Sequence, residues 1–212
     1  MKKLLSSLRS LLSFGAAAQE AEPSEPVALH DFLYHKATNL TKPYLVLHGV
    51  PAKSAKSEKA KAQLEEAISL FGRVLVINPQ NWAAAWLAGK AAQSLGQLER
   101  AYEYFARSFE VQKENPDVAR ELMLTCLDTK RAKEAVAVAE HAMQLTPEDA
   151  GLRANLALAL LCSADVAGAE VAIDAALKDD PRDEISITLK RLIGEVGRGE
   201  RKQPQVPADL EG

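Results

Sequence analysis

Residues 67–82 read AISLFGRVLVINPQNW, an amphipathic helix halted at Asn78-Pro79. Proline lacks the amide that the helical ladder needs and clashes with the preceding turn. Whether this is a lone helix or one unit of a repeat decides the fold. A step of 34 residues from Ala67 meets Ala101, Ala135 and Ala169. From Phe71 it meets Phe105, Ala139 and Ile173, and from Val74 it meets Ser108, Ala142 and Ala176. From Pro79 it meets Lys113, Pro147 and Pro181. A period kept over four copies marks an internal repeat.

The last copy, EDAGLRANLALALLCSADVAGAEVAIDAALKDDPRD, shows the physics of one unit. The pattern predicts a first helix from about Ala150 to Cys162, a turn at Ser163-Ala164-Asp165, and a second helix from about Val166 to Lys178. Asp179-Asp180-Pro181 closes the unit. Leu156, Leu160, Ala169, Ile173 and Ala176 supply the facing surfaces, and the small alanines let the helices approach closely. One such hairpin cannot cover its own apolar faces, so copies stack into a superhelix.

Composition agrees with that architecture. The 212 residues are 47% hydrophobic and 26% charged, which fits a soluble globular chain, while aromatics at 5% leave burial to close helix contact. The net charge is -3, with eight Lys/Arg against five acids over residues 1–60, a balance of +3 that leaves -6 for the rest. A mildly acidic repeat region argues against a nucleic-acid groove. Cys126 and Cys162 fall inside helical patterns with no CxxC, so they read as small buried apolar residues, which fits a reducing cytoplasm without fixing the compartment.

No run of eighteen apolar residues occurs. The start, MKKLLSSLRSLLSFGAAAQE, fits three readings. Its basic beginning and Ala-rich end outline a cleaved secretory signal. Leu4, Leu5, Leu8, Leu11 and Leu12 on one face, with Lys2, Lys3 and Arg9 off it, outline an amphipathic helix for a membrane surface or a partner. A frayed terminus without a role is the third.

The repeat resembles the tetratricopeptide repeat family. In WAAAWLAGKAAQSLGQLERAYEYFARSFE, Gly89 matches the family's first-helix glycine, Gly96 its turn glycine, Ala101 its second-helix alanine and Phe105 its aromatic. Trp86 lies one residue from the family's usual tryptophan. The third copy keeps Leu122, Ala135, Ala142 and Pro147 but has Met123 and Lys130 in the glycine positions. The fourth keeps Leu156, Ala169, Ala176 and Pro181. The resemblance implies an all-α fold, a right-handed α-solenoid of antiparallel helix pairs. It comprises about three full repeats, a half repeat and a C-terminal capping helix.

The organisation read on this basis is an amphipathic segment and linker over 1–26 and a non-repeat cap over 27–53. Repeats occupy 54–183, a capping helix 184–197 and a disordered tail 198–212. The first repeat lacks a clean first helix, because residues 48–61 are polar and Lys-rich; Ser54 or Ser57 begins one long helix to Ile77. Asn115-Pro116 sits three residues late for the proline series, which predicts an irregular junction between the second and third copies. In DEISITLKRLIGEV, Ile185, Leu189, Leu192, Ile193 and Val196 form the apolar face that a cap requires. The tail is polar and proline-containing.

No convergent set of reactive groups appears, so neither enzyme activity nor a cofactor or metal is expected. His30 and His35 stand five apart, whereas a shared metal on a helix wants four. His48 precedes Gly49 in an expected loop, and His141 lies within a repeat helix. What remains is a binding surface. The resemblance places first helices on the concave face, which carries Trp86, Lys90 and Gln93, then Arg120, Glu121 and Leu124, then Asn155 and Leu158. That mix suits a peptide or helix with charge and apolar anchors. Trp86 reads equally as a packing residue, and Asn155 as an ordinary polar surface residue.

Some family members grip a chaperone's C-terminal carboxylate through a Lys/Asn/Asn/Lys/Arg clamp. The corresponding positions here hold Trp86, Lys90, Glu121, Gly151 and Asn155, and Glu121 would repel a carboxylate, so no such clamp is expected. The apolar stretch 27–50 either seals the first repeat or lies along the groove. The function expected is a cytoplasmic, non-catalytic adaptor or scaffold for a protein or peptide partner. The alternative is a chaperone or assembly factor for a secretion or envelope complex, held at a membrane by residues 1–14.

Overall fold

The structure is a computed structural model that describes residues 21–45 and 53–210. The leucine-rich segment 1–20 lies outside the described residues. Among those described there are nine α-helices and no strand. They are α1 (Pro26–Thr41), α2 (Glu58–Ile77), α3 (Trp82–Ser94), α4 (Leu98–Val111), α5 (Pro116–Asp128), α6 (Ala132–Leu145), α7 (Ala150–Cys162), α8 (Val166–Asp179) and α9 (Glu184–Gly197). Short 3-10 turns follow at Lys42–Tyr44 and Pro207–Leu210. Each helix packs chiefly on its sequence neighbours, which makes the fold a tetratricopeptide-like α-solenoid of stacked hairpins.

The period is set where helices begin. First helices start at Trp82, Pro116, Ala150 and Glu184, and second helices at Leu98, Ala132 and Val166; both series step by 34. The residue before each first helix caps it. Asn81 accepts from the Ala84 amide at 2.9 Å, Asn115 from Asp117 at 2.9 Å, Asp149 from Leu152 at 3.0 Å and Asp183 from Ser186 at 2.9 Å. Such a cap contributes about 1 kcal/mol. The expected irregular junction at Asn115-Pro116 is therefore absent. Pro116 opens α5 at its first position, where a missing amide costs nothing, and does not close α4.

The turns within hairpins obey the same period. Gly96, Lys130 and Ala164 all take the left-handed conformation, with φ of 73°, 62° and 70°. Glycine adopts it freely, whereas a side chain there costs about 1–2 kcal/mol. Ala164 is exposed, so Ala164→Gly relieves strain without losing a contact. The expected gain is about 0.5–1 kcal/mol, or roughly a 2 °C rise in Tm. A thermal melt that is unchanged or lowered would show that the turn carries no strain.

The four period-related alanines, Ala67, Ala101, Ala135 and Ala169, are wholly buried, as are Phe71, Phe105 and Ile173. Ser108, also buried, donates its hydroxyl to the Trp82 carbonyl at 3.0 Å and so leaves no polar group unpaired. First helices lie between two neighbours and bury residues around most of their girth; α7 covers Leu152, Ala154, Ala157, Ala159 and Leu161. That is why its sequence is apolar nearly all round. Second helices face solvent on one side. There, ion pairs join successive copies: Glu65 with Arg100 at 2.8 Å and Glu99 with Arg131 at 2.8 Å.

The N-terminal unit differs from the half repeat that the polar segment 48–61 suggested. Helix α1 packs on α2 and also touches α3, as α5 touches α7 and α7 touches α9. It thus occupies a first-helix position, joined to α2 by residues 42–57 in place of a three-residue turn. Leu33 and Ala37 are fully buried against α2 residues including Leu70, Phe71 and Val74. The Tyr34 ring meets Phe71 edge-on at 6.1 Å, and Lys36 pairs with Glu66 at 2.8 Å. Just before α1, Glu22 takes both guanidinium nitrogens of Arg73, which holds its carboxyl below the usual range. Ser57 caps α2.

The tail expected to be disordered from residue 198 is ordered through Leu210. Arg201 reaches Glu195 at 3.0 Å, and the Gln203 amide donates to the Leu161 carbonyl at the end of α7. Pro204 is buried, and Leu210 packs on the apolar cluster of α7, α8 and α9. Polar composition misled here because two apolar residues and two directed hydrogen bonds are enough to seat so short a segment.

Candidate interaction face

The face in question is built from α3, α5 and α7. Because these helices share the 34-residue step, Lys90, Leu124 and Leu158 are equivalent positions, as are Trp86 and Arg120, and Glu121 and Asn155. Four of these side chains form one network. The Lys90 ammonium donates to Gln93 Oε1 at 2.9 Å and to Glu121 Oε1 and Oε2 at 3.1 and 3.2 Å. It also stands 5.8 Å from the centroid of the Trp86 ring. The side chains of Lys90 and Glu121 are only 14% and 19% exposed, so this pair is screened far less than a surface ion pair.

Arg120 turns toward the helix starts, pairing with Asp117 at 2.5 Å and Asp149 at 3.6 Å. Trp86 is half-buried and packs on both the N-terminal and the central clusters. Leu124 packs on the central cluster, and Leu158 bridges the central and C-terminal ones. Asn155 is half-buried, and its amide has no hydrogen bond among the described residues. Trp86, Lys90, Gln93 and Glu121 are therefore brought together, while Arg120 is drawn aside and Asn155 and Leu158 stand one helix further on.

His48 lies outside the described residues, whereas His30, His141 and the two cysteines have structural surroundings. His30 lies 2.9 Å from Asp31 and 3.1 Å from the Asn81 amide, which ties α1 to the cap of α3. His141 contacts the Lys113 carbonyl at 2.9 Å and meets Phe109 edge-on. Burial pushes the Cys126 thiol up to about 12, with Glu134 adding to it, and the Cys162 thiol up to about 11. Neither supplies a thiolate near neutral pH. Among the described residues no cluster of three His, Cys, Asp or Glu side chains could hold a metal ion, and no helix is long and apolar enough to cross a membrane.

Comparison with known proteins supports this geometry. The family model for the tetratricopeptide repeat matches residues 83–115, the α3–α4 hairpin with its following junction. No curated protein matches the chain. Among solved structures, MamA from Desulfovibrio magneticus RS-1 (residue 41 to its end) superposes with a TM-score of 0.61 at 16% identity, covering 90% of this chain and 92% of that one. A tetratricopeptide repeat protein from Parabacteroides merdae gives 0.63 at 16% identity, covering 81% of this chain and 60% of that one. YrrB, a TPR protein with an unusual peptide-binding site, gives 0.56 at 16% identity, covering 89% and 88%. At such identities the likeness is one of fold. The fold is a helical-repeat solenoid of the kind these structures share, and within it residues 83–115 match the tetratricopeptide repeat.

Sequence reasoning missed three participants at this face. Asp149 caps α7 and is also the partner of Arg120, and no spacing in the sequence pairs the two. The C-terminal residues Pro207 and Leu210 line an apolar groove of about 610 Å³ together with Leu158, Ile185, Leu189 and Leu192. The Pro-x-x-Leu spacing in an otherwise polar tail was the one signal available.

Proposed function

We propose that this protein is a non-catalytic, cytoplasmic adaptor that holds a peptide or helix of a partner protein against the face formed by α3, α5 and α7. The observation that carries the reading is the side-chain economy of that face. Lys90, Gln93 and Glu121 form a closed polar floor beside Trp86, whereas the Asn155 amide keeps both its donor and its acceptor for a ligand backbone. Trp86 and Leu158 offer apolar anchors on either side. A carboxylate clamp fits poorly, because an incoming carboxylate would have to displace Glu121 from Lys90 and then sit beside it.

The test is capture of partners from host lysate by the full chain, by Asn155→Arg, and by Trp86→Ala with Asn155→Ala, each first shown by circular dichroism to remain helical. The expected result is a protein retained by the unaltered chain and lost by both variants. Equal retention by all three would place the contact elsewhere and overturn the reading.

A further inference from the structure

We propose that the chain's own C-terminal segment is the resident ligand of this face, and that the partner it mimics is a short peptide presenting a proline and a leucine where Pro207 and Leu210 sit. The inference rests on the reading of the face as a binding surface and names the ligand class for its C-terminal half.

The tail touches first-helix positions. The Pro207–Leu210 turn lies on α5, and Leu210 packs on the cluster containing Ala154, Leu161 and Leu189, with Leu158 at its edge. Gln203 donates to the Leu161 carbonyl, which also accepts the Ala164 amide, so the tail takes up a remaining lone pair. Asp209 folds the turn by accepting the Gln205 and Val206 amides at 2.8 and 3.1 Å, and these bonds, aided by Lys130, hold its carboxyl below the usual range. The turn thus presents Pro207 and Leu210 to the groove lined by Leu158, Leu189 and Leu192.

Two features suit replacement by a partner. The attachment is slight: Leu210 is half-buried, and Gln203 and Asp209 are exposed. Segments with so few buried contacts open at low free energy. The groove beside the tail also has space left over. About 610 Å³ remains between the tail and α7 and α9, and Ile185 on its rim is 76% exposed. A longer peptide of the same chemistry covers apolar surface that the tail leaves bare.

A tethered ligand acts at an effective concentration on the order of millimolar, so a free peptide of equal intrinsic affinity cannot compete at micromolar concentrations. The experiment uses a fluorescent synthetic peptide of residues 201–212 and follows its anisotropy. The unaltered full chain is expected to show no saturable binding at micromolar concentrations. Full-length Leu210→Asp, with its own anchor removed, is expected to bind the peptide at least about tenfold more tightly. Adding Leu158→Asp to that chain, or placing the Leu210→Asp change in the peptide, should abolish the gain.

Circular dichroism confirms that each chain is folded. A helical Leu210→Asp chain that binds the peptide no better than the unaltered chain would overturn the inference, as would binding indifferent to Leu158. Failure here alongside face-dependent capture from lysate removes the tail inference alone. Seating of the peptide without any face-dependent prey removes the adaptor reading alone.

Discussion

Phe105→Ala is expected to cost the array about 3–5 kcal/mol, a fall in Tm of about 6–15 °C, because the ring is fully buried at the crossing of α3 and α4. The informative partner of this change is Gly89, in the middle of α3. Glycine inside a helix costs about 1 kcal/mol relative to alanine, so the site needs a reason. A Cβ there would lie 2.7 Å from Cε1, 2.8 Å from Cδ1 and 3.0 Å from Cζ of Phe105. The ring fills the space that the missing side chain leaves.

Gly89→Ala should therefore destabilise the unaltered protein by about 1 kcal/mol, as overpacking outweighs the gain in helix propensity. In the Phe105→Ala background the same change should stabilise by about 1 kcal/mol, since the clash is gone and the methyl enters the cavity. The sign reversal, read from urea unfolding of all four proteins, is the measurement. Additive effects would mean that glycine and ring are not coupled.

The second large effect concerns α1. Leu33→Asp puts a carboxylate where the side chain is wholly covered, in an apolar cluster with residues of α2 and α3. Burying such a charge costs several kcal/mol, more than one helix gains by docking, so α1 should come away. In a solenoid each unit touches only its neighbours, and the loss should stay local. Hydrogen exchange is expected to show α1 unprotected and α2 weakened, while α7 and α8 exchange as before. Uniform loss of protection would mean that the array unfolds as one cooperative body. Unchanged protection in α1 would mean that it does not rest on α2.

Much of this was readable along the chain. Helix pairs, their turns and the 34-residue step follow from apolar spacing and from four coincident alanines, because the close approach of two helices admits only a small residue at that point. The step is repeated by Asn81, Asn115, Asp149 and Asp183, a series hidden behind the more conspicuous prolines; it shows Pro116 to be the beginning of a helix. The candidate face was legible by position, since residues 34 apart on stacked helices share a side. Local properties such as helix formation, capping and burial of a face are carried by residues within a turn or two of each other, and these the sequence alone determines.

Contacts between distant segments are another matter. Helix α1 fills a first-helix place although residues 42–57 separate it from α2, so no fixed spacing announces it. The union of Lys90 with Glu121, 31 residues away, and the aiming of Arg120 at Asp149 depend on how α3, α5 and α7 are rotated against one another. The seating of Leu210 beside Leu158 requires a groove that exists only after α7 and α9 have stacked. Each is a choice among many chemically equal partners, and only the packed arrangement of the helices makes it, since charge and apolar surface do not specify a partner until geometry brings one within reach.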